Sequence, residues 1–124
     1  MPSRATGRRT ARQVEGGEAE ERAAQLLAER GMTILERNFR TRLGEIDLVA
    51  RDGGTLVFVE VRRRLSSARY GGALGSIDGR KQRRIAAAAR LYLARLRSEP
   101  PCRFDVIALE GGECTYVRDA FSVA

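Results

Sequence analysis

Glu60 interrupts an otherwise apolar run, Leu56-Val57-Phe58-Val59-Glu60-Val61, and so restricts the folds open to this chain. A run that is apolar on both faces belongs to a central strand of a covered sheet. A carboxylate in that setting costs on the order of several kcal/mol unless it is paired, hydrogen-bonded or bound to a metal. Just upstream, Gly44-Glu45-Ile46-Asp47-Leu48-Val49-Ala50 places two more acids inside a second apolar strand. Asp52-Gly53-Gly54 between the two runs is a strong hairpin signal. The sequence therefore asks for an antiparallel pair, buried on both faces, with acids gathered at one place.

The remaining residues read as one domain built around that pair. A chain of 124 residues can form a single core without staples. Residues 1–14 carry Arg4, Arg8, Arg9 and Arg12 and no acids, the composition of a disordered basic arm, which leaves residues 15–124 as the domain. A helix is expected from about Glu15 to Arg30, with Ala23, Leu26, Leu27 and Ala28 as apolar contacts and Gly31 as its C-cap. A short strand over Met32–Phe39 precedes the two acid-bearing strands, Leu43–Arg51 and Thr55–Arg62. Residues 63–75 form a Gly/Ser-containing loop. A long helix is expected from about Ser76 to Arg97, its stripe defined by Lys81, Ile85, Ala88 or Ala89, Tyr92 and Leu96, with Pro100-Pro101 ending it. Strands over Cys102–Leu109 and Glu113–Val117 surround the turn Glu110-Gly111-Gly112. The order is αβββαββ, an α/β fold with a mixed β-sheet flanked by helices.

Strand periodicity puts Glu45, Asp47 and Val49 on one face, and Leu56, Phe58, Glu60 and Arg62 on one face of the next strand. With Gly53-Gly54 as a two-residue turn, Asp47 lies opposite Glu60 and Glu45 opposite Arg62. With Asp52-Gly53 as the turn, Glu45 lies opposite Glu60 and Asp47 is its diagonal neighbour. Either register gathers the acids on one face, and directly opposite positions lie about 4.5–5.5 Å apart at Cβ, near enough for two carboxylates to share a divalent ion. The sequence contains no His, so hard oxygen ligands favour Mg²⁺ or Mn²⁺ over zinc. Such an ion can bind a phosphodiester oxygen and activate water. The plainer alternative pairs Glu45 with Arg62 and leaves Asp47 and Glu60 facing solvent at a sheet end.

Composition narrows the chemistry further. Without His the usual general base is absent, and Ser66 and Ser67 have no obvious base to activate them. Cys102 and Cys114 form no spacing pattern for zinc or a disulfide framework. No apolar stretch is long enough to span a membrane, and a cytoplasmic protein with reduced thiols is expected. The net charge of +7 and pI near 10.6 favour a polyanionic partner. Arginine dominates this charge, and Lys81 is the only lysine among 23 basic residues, a bias that a whole proteome can share. The clustering of the basic residues is not explained by such a bias.

Four segments carry a resemblance: Gly44-Glu45-Ile46-Asp47-Leu48, Phe58-Val59-Glu60-Val61-Arg62, Lys81-Gln82-Arg83-Arg84-Ile85 and Arg103-Phe104-Asp105-Val106. In order and spacing, over about Glu15 to Leu109, they resemble the YraN family, a bacterial group similar to PD-(D/E)xK nucleases and archaeal Holliday-junction resolvases. The resemblance implies a restriction-endonuclease-like (PD-(D/E)xK) fold. It implies that Asp47 and Glu60 bind the metal, with the carbonyl of Val61 as a further ligand. An acid on the first helix completes such sites, and counting back from Gly31 that residue is Glu20, with Glu18 as the fallback and a solvated helix face as the alternative. Glu45 is a further candidate ligand. The lysine of the E-x-K element is Arg62 here, and arginine keeps its charge at any relevant pH, so it cannot act as the base. It can still position water or stabilise charge on phosphorus. Lys81, four residues before Ile85 on the stripe facing the sheet, could supply the missing lysine; the alternative is a snorkelling surface side chain or a phosphate contact.

Between Arg80 and Arg97 the sequence holds seven basic residues and no acid. Arg80, Lys81, Arg83 and Arg84, together with Arg63, Arg64 and Arg69 running from the candidate site into the loop, form the expected phosphate grip. Three readings follow. The first is a Mg²⁺- or Mn²⁺-dependent endonuclease acting on branched or flapped nucleic acid, DNA rather than RNA, with room for a homodimer. The second is a nucleic-acid-binding scaffold that keeps the fold without hydrolysis. The third is a protein-interaction module whose charge reflects proteome bias.

Overall fold

The computed structural model describes residues 11–64 and 77–122. Its elements are α1 (Ala11–Glu29), β1 (Thr33–Arg40), β2 (Glu45–Asp52), β3 (Thr55–Arg64), α2 (Gly79–Leu93), β4 (Cys102–Glu110) and β5 (Glu113–Phe121). The order αβββαββ is the expected one. The strands form a single sheet in sequence order, β1-β2-β3-β4-β5. Only β3 and β4 run parallel, and α2 lies in the connection between them, since parallel neighbours need a crossover.

Each helix covers one face. On one side, Ala19, Ala23, Ala24 and Leu27 of α1 pack on Leu48, Ala50, Val57, Val59, Ile107 and Leu109. On the other, Ile85, Ala88, Ala89 and Tyr92 of α2 pack on Ile46, Val49, Leu56 and Phe58. This two-sided burial is why β3 is apolar at nearly every position. The α1 stripe uses Ala24, while Ala28, expected to be a contact, is exposed because it lies one helical step beyond Leu27. Gly31 caps α1 as expected: its φ of +88° lets the Met32 N–H reach back to the Leu27 carbonyl at 3.0 Å.

The ends of several elements differ from expectation. Helix α1 starts at Ala11 rather than near Glu15, and residues 1–10 of the expected basic arm lie outside the described residues. Strand β3 extends through Arg63 and Arg64, which the sequence assigned to the loop, and residues 65–76 lie outside the described residues. Helix α2 begins at Gly79, where the Asp78 carboxylate caps it by accepting the Lys81 backbone N–H at 2.9 Å, and it ends at Leu93 rather than Arg97. Beyond that end the Arg95 guanidinium stacks on Phe39 and Tyr92, 5.3 and 5.1 Å from the ring centres. This tertiary contact replaces the last helical turn, and it leaves Leu96 exposed. The C-terminal strand runs on to Phe121, which stacks on Phe104 at 5.1 Å.

A second buried acid, Asp105, closes the lower end of the sheet. It is fully buried and accepts hydrogen bonds from Arg103 Nε at 3.0 Å, the Tyr116 hydroxyl and the Asp119 backbone N–H at 2.8 Å. Arg103 also reaches Asp52 at 3.0 Å, tying the β2–β3 turn to β4. Every buried side-chain polar atom among the described residues is hydrogen-bonded, so Asp105 is a satisfied structural acid. Removing it strands a partly buried arginine. Asp105→Ala is expected to lower stability by about 3–5 kcal/mol in urea unfolding, while Asp105→Asn loses less because it keeps part of the network.

Candidate metal centre

Pairing between β2 and β3 fixes the site. The partners run from Asp52↔Thr55 to Leu48↔Val59, so Gly53-Gly54 is the turn and the next position sets Asp47 opposite Glu60. There the ladder stops. In a regular hairpin the Val61 N–H would bond the Ile46 carbonyl. Instead it donates to Asp47 Oδ2 at 2.8 Å. A side chain thus takes the rung that the backbone gives up. Beyond this point β2 twists away, and Ile46 joins Val49 in the α2-side core, although strict alternation would place it on the α1 side.

The remaining residues approach from both helices. Lys81, in the first turn of α2, places Nζ 3.5 Å from Glu60 Oε2. Arg62 places Nη1 3.4 Å from the same oxygen. Helix α2 can come this close because Gly44 has no side chain: a Cβ there would lie 1.9 Å from the Arg84 carbonyl oxygen. The Thr41 hydroxyl, accepting from the Leu43 and Gly44 N–H groups at 3.1 and 3.0 Å, holds that turn. From α1, Glu20 is near enough to Asp47 for the two charges to repel, and it accepts from Asn38 Nδ2 at 3.0 Å. Asn38 has a φ of +54°, a left-handed kink in β1 that only small polar residues and glycine adopt readily.

The electrostatics follow from burial. Glu60 is 3% exposed, and desolvation, reinforced by the neighbouring Asp47 charge, pushes its carboxyl up to about 8 despite Lys81 and Arg62. Asp47 is also raised, chiefly by burial; the Val61 N–H, the hydrogen bond from Glu60 and the Lys81 charge oppose that shift. Two acids this close hold one proton between them, with protonated Glu60 donating to Asp47. Glu20 is raised as well, by burial first and by Asp47 second.

The sequence-derived candidates therefore separate. Asp47, Glu60, Val61, Arg62, Lys81 and Glu20 converge. Lys81 points inward rather than snorkelling to solvent. Glu45 is exposed, pairs with Arg40 across β1–β2 rather than with Arg62, and adds only a weak repulsion to Asp47. Glu18 lies on the other flank of α1, lining a separate pocket. Arg80, Arg83 and Arg84 are exposed on α2, and Arg63 is exposed on the α1 side of β3. Arg69 lies outside the described residues, as does the Arg64 side chain. Sequence reasoning missed Asn38 and the positioning role of Gly44; a glycine directly before the acidic strand was the only available signal for the latter.

Hard oxygens fit Mg²⁺ or Mn²⁺. No three acidic side chains among the described residues form a ready metal cage. Mg²⁺ does not need one: it binds through one or two carboxylates and completes its shell with water and substrate phosphate.

Comparison with known proteins bears on this geometry. The family model described as "Uncharacterised protein family UPF0102" matches residues 19–109, a span that contains every residue of the constellation. A UPF0102 protein of Janthinobacterium sp. (strain Marseille) is 50% identical over 112 residues, 90% of each chain. One from Halorhodospira halophila is 56% identical over 106 residues, 86% of this chain and 85% of the relative. A third, from Ralstonia pickettii, is 53% identical over 112 residues, 86% of this chain and 90% of the relative.

Two outcomes are expected of this geometry. Glu60 is held above its ordinary value of 4.5, so the unfolded chain releases that proton first. In chelator, stability should fall as pH rises from about 4.5 and level off above about 8, with Tm lower by about 4 °C or more at the alkaline end. Glu60→Gln should flatten that slope, and Mn²⁺ should raise Tm most at alkaline pH; calorimetric scans check both. Gly44→Ala must push α2 off the sheet and is expected to cost about 1–3 kcal/mol or more in urea unfolding.

Proposed function

The chain belongs to the family UPF0102, the YraN family, and from that premise we propose that it is a PD-(D/E)xK-like, Mg²⁺- or Mn²⁺-dependent endonuclease acting on branched or flapped DNA. The observation that carries this reading is the Asp47–Glu60 pair. Glu60 is buried and Asp47 half-buried, and the cations beside them are poorly placed to neutralise them. Contacts of 3.5 and 3.4 Å from Lys81 and Arg62 are long for charge-assisted bonds, which run near 2.7–2.9 Å. A close carboxylate pair with raised pKa values and long contacts to its cations supports a divalent-ion reading.

Asp47 and Glu60 would hold the ion, with Glu20 and the Val61 carbonyl as additional oxygen donors. Once bound, the metal supplies a lowered water pKa and polarises a phosphodiester oxygen. The chain's own groups do the rest. The Val61 N–H holds Asp47 in one orientation, and Asn38 does the same for Glu20. Lys81 Nζ and the Arg62 guanidinium set positive charge beside Glu60, where negative charge grows on the phosphoryl oxygens. Arg62 cannot take a proton from water, so its contribution is electrostatic. Arg80, Arg83 and Arg84 carry exposed positive charge along α2, suited to sequence-neutral phosphate contacts.

One observation favours the second reading, a nucleic-acid-binding scaffold that does not hydrolyse its ligand. Arg62 and Lys81 already stand against Glu60, where they could substitute for an ion. Cleavage of labelled duplex, flap and four-way-junction DNA in Mn²⁺ separates the two. The nuclease reading expects cleavage that EDTA abolishes and that Glu60→Gln reduces by about 100-fold or more. Binding of every substrate with no cleavage of any would overturn it in favour of the scaffold.

A further inference from the structure

The other face of the sheet offers a second feature, away from the acids. Successive residues of a strand alternate between faces, so Glu60 and Arg62 lie toward α2 whereas Val57, Val59 and Val61 pack on α1. Arg63 continues the α1-side series. It lines a pocket of about 190 Å³ together with Glu18, Ala19 and Arg22 of α1, Leu109 of β4, and the turn residues Gly111 and Gly112.

The lining has the chemistry of an anion site. Arg22 is exposed and makes no ion pair with any described residue, not even with Glu18 one helical turn before it. Gly111 and Gly112 have φ values of +55° and +88°, a two-residue turn of the type that keeps its central N–H groups out of the ladder. Neither position has an atom within 4 Å of where a Cβ would stand, so a ligand can approach that backbone closely. The lining holds the Arg22 and Arg63 guanidinium groups, the glycine turn and one carboxylate, Glu18. A forked guanidinium suits the paired oxygens of a phosphate better than a point charge does.

We infer that this pocket is a second subsite, binding one phosphate of a nucleic-acid strand that has another of its phosphates at the Asp47–Glu60 centre. The inference rests on the nucleic-acid reading above and adds to it the path of the strand. Arg63 follows Glu60 by three residues, about 10 Å of strand. A strand that rounds the end of the sheet therefore meets both places within a few nucleotides. The polymer then crosses the end of the sheet at the C-terminal ends of the parallel pair β3 and β4, where open α/β sheets commonly bind ligands.

The test is fluorescence anisotropy with a labelled flap DNA across a salt series, in calcium to exclude cleavage, for wild type, Arg22→Gln and Glu18→Gln. Arg22→Gln should weaken binding and reduce the slope of log K against log salt by about 0.9. Glu18→Gln should strengthen binding, a change of opposite sign that a folding defect would not produce. Unlabelled inorganic phosphate should compete for wild type at lower concentration than for Arg22→Gln. Wild-type binding that neither substitution alters would overturn the subsite and leave the nucleic-acid reading standing. No binding by wild type at low salt would overturn both.

Discussion

The structure turns on one hydrogen bond, from the Val61 N–H to the Asp47 carboxylate at 2.8 Å. It stands where a backbone rung should be, and it lets β2 part from β3 without leaving a buried N–H unsatisfied. Because the strands part there, Asp47 can face Glu60 across the gap and Glu20 can reach toward it from α1. A regular ladder continued past this point would leave less room between the acids. The site is therefore a controlled failure of sheet pairing, and the two packed helices bear the burden of holding it open.

The supports are distributed accordingly. Gly44 allows α2 to press against the β1–β2 turn, and this fixes where Lys81 falls relative to Glu60. The Asp105–Arg103–Asp52 network clamps the closed end of the same hairpin, so opening at one end does not propagate to the other. The two buried acids of the sheet are thus opposites. Asp105 has hydrogen-bond donors on every side and is content without a ligand. Glu60 shares a proton with Asp47 and has only long contacts to two cations. Burial is common to the two acids; the length of their contacts to neighbouring cations is what differs.

Much of this was legible in the residues. Glu60 inside an apolar strand, Asp47 in its neighbour and a glycine turn between them located the pair. The parity of a two-residue turn gave its register as one of two options. The helix stripe put Lys81 on the inward side. What the residues did not reveal is where alternation breaks, because periodicity assumes an unbroken ladder. Glu45 was assigned to the shared face on that assumption, yet the twist after Asp47 turns it outward. Asn38 escaped notice because its role depends on a left-handed backbone and on a helix eighteen residues away in sequence. The early end of α2 depended on Arg95 finding two aromatic rings, a tertiary contact invisible to helical propensity.

The central claim is that Asp47 and Glu60 bind a divalent cation rather than serve as an internally neutralised pair. Crystals grown in Mn²⁺, with anomalous diffraction measured near the manganese edge, address it directly. The account predicts a single strong anomalous peak beside the two carboxylates, with Lys81 and Arg62 displaced from Glu60 Oε2. An absence of anomalous density at millimolar Mn²⁺, with both cations still against Glu60, would contradict it.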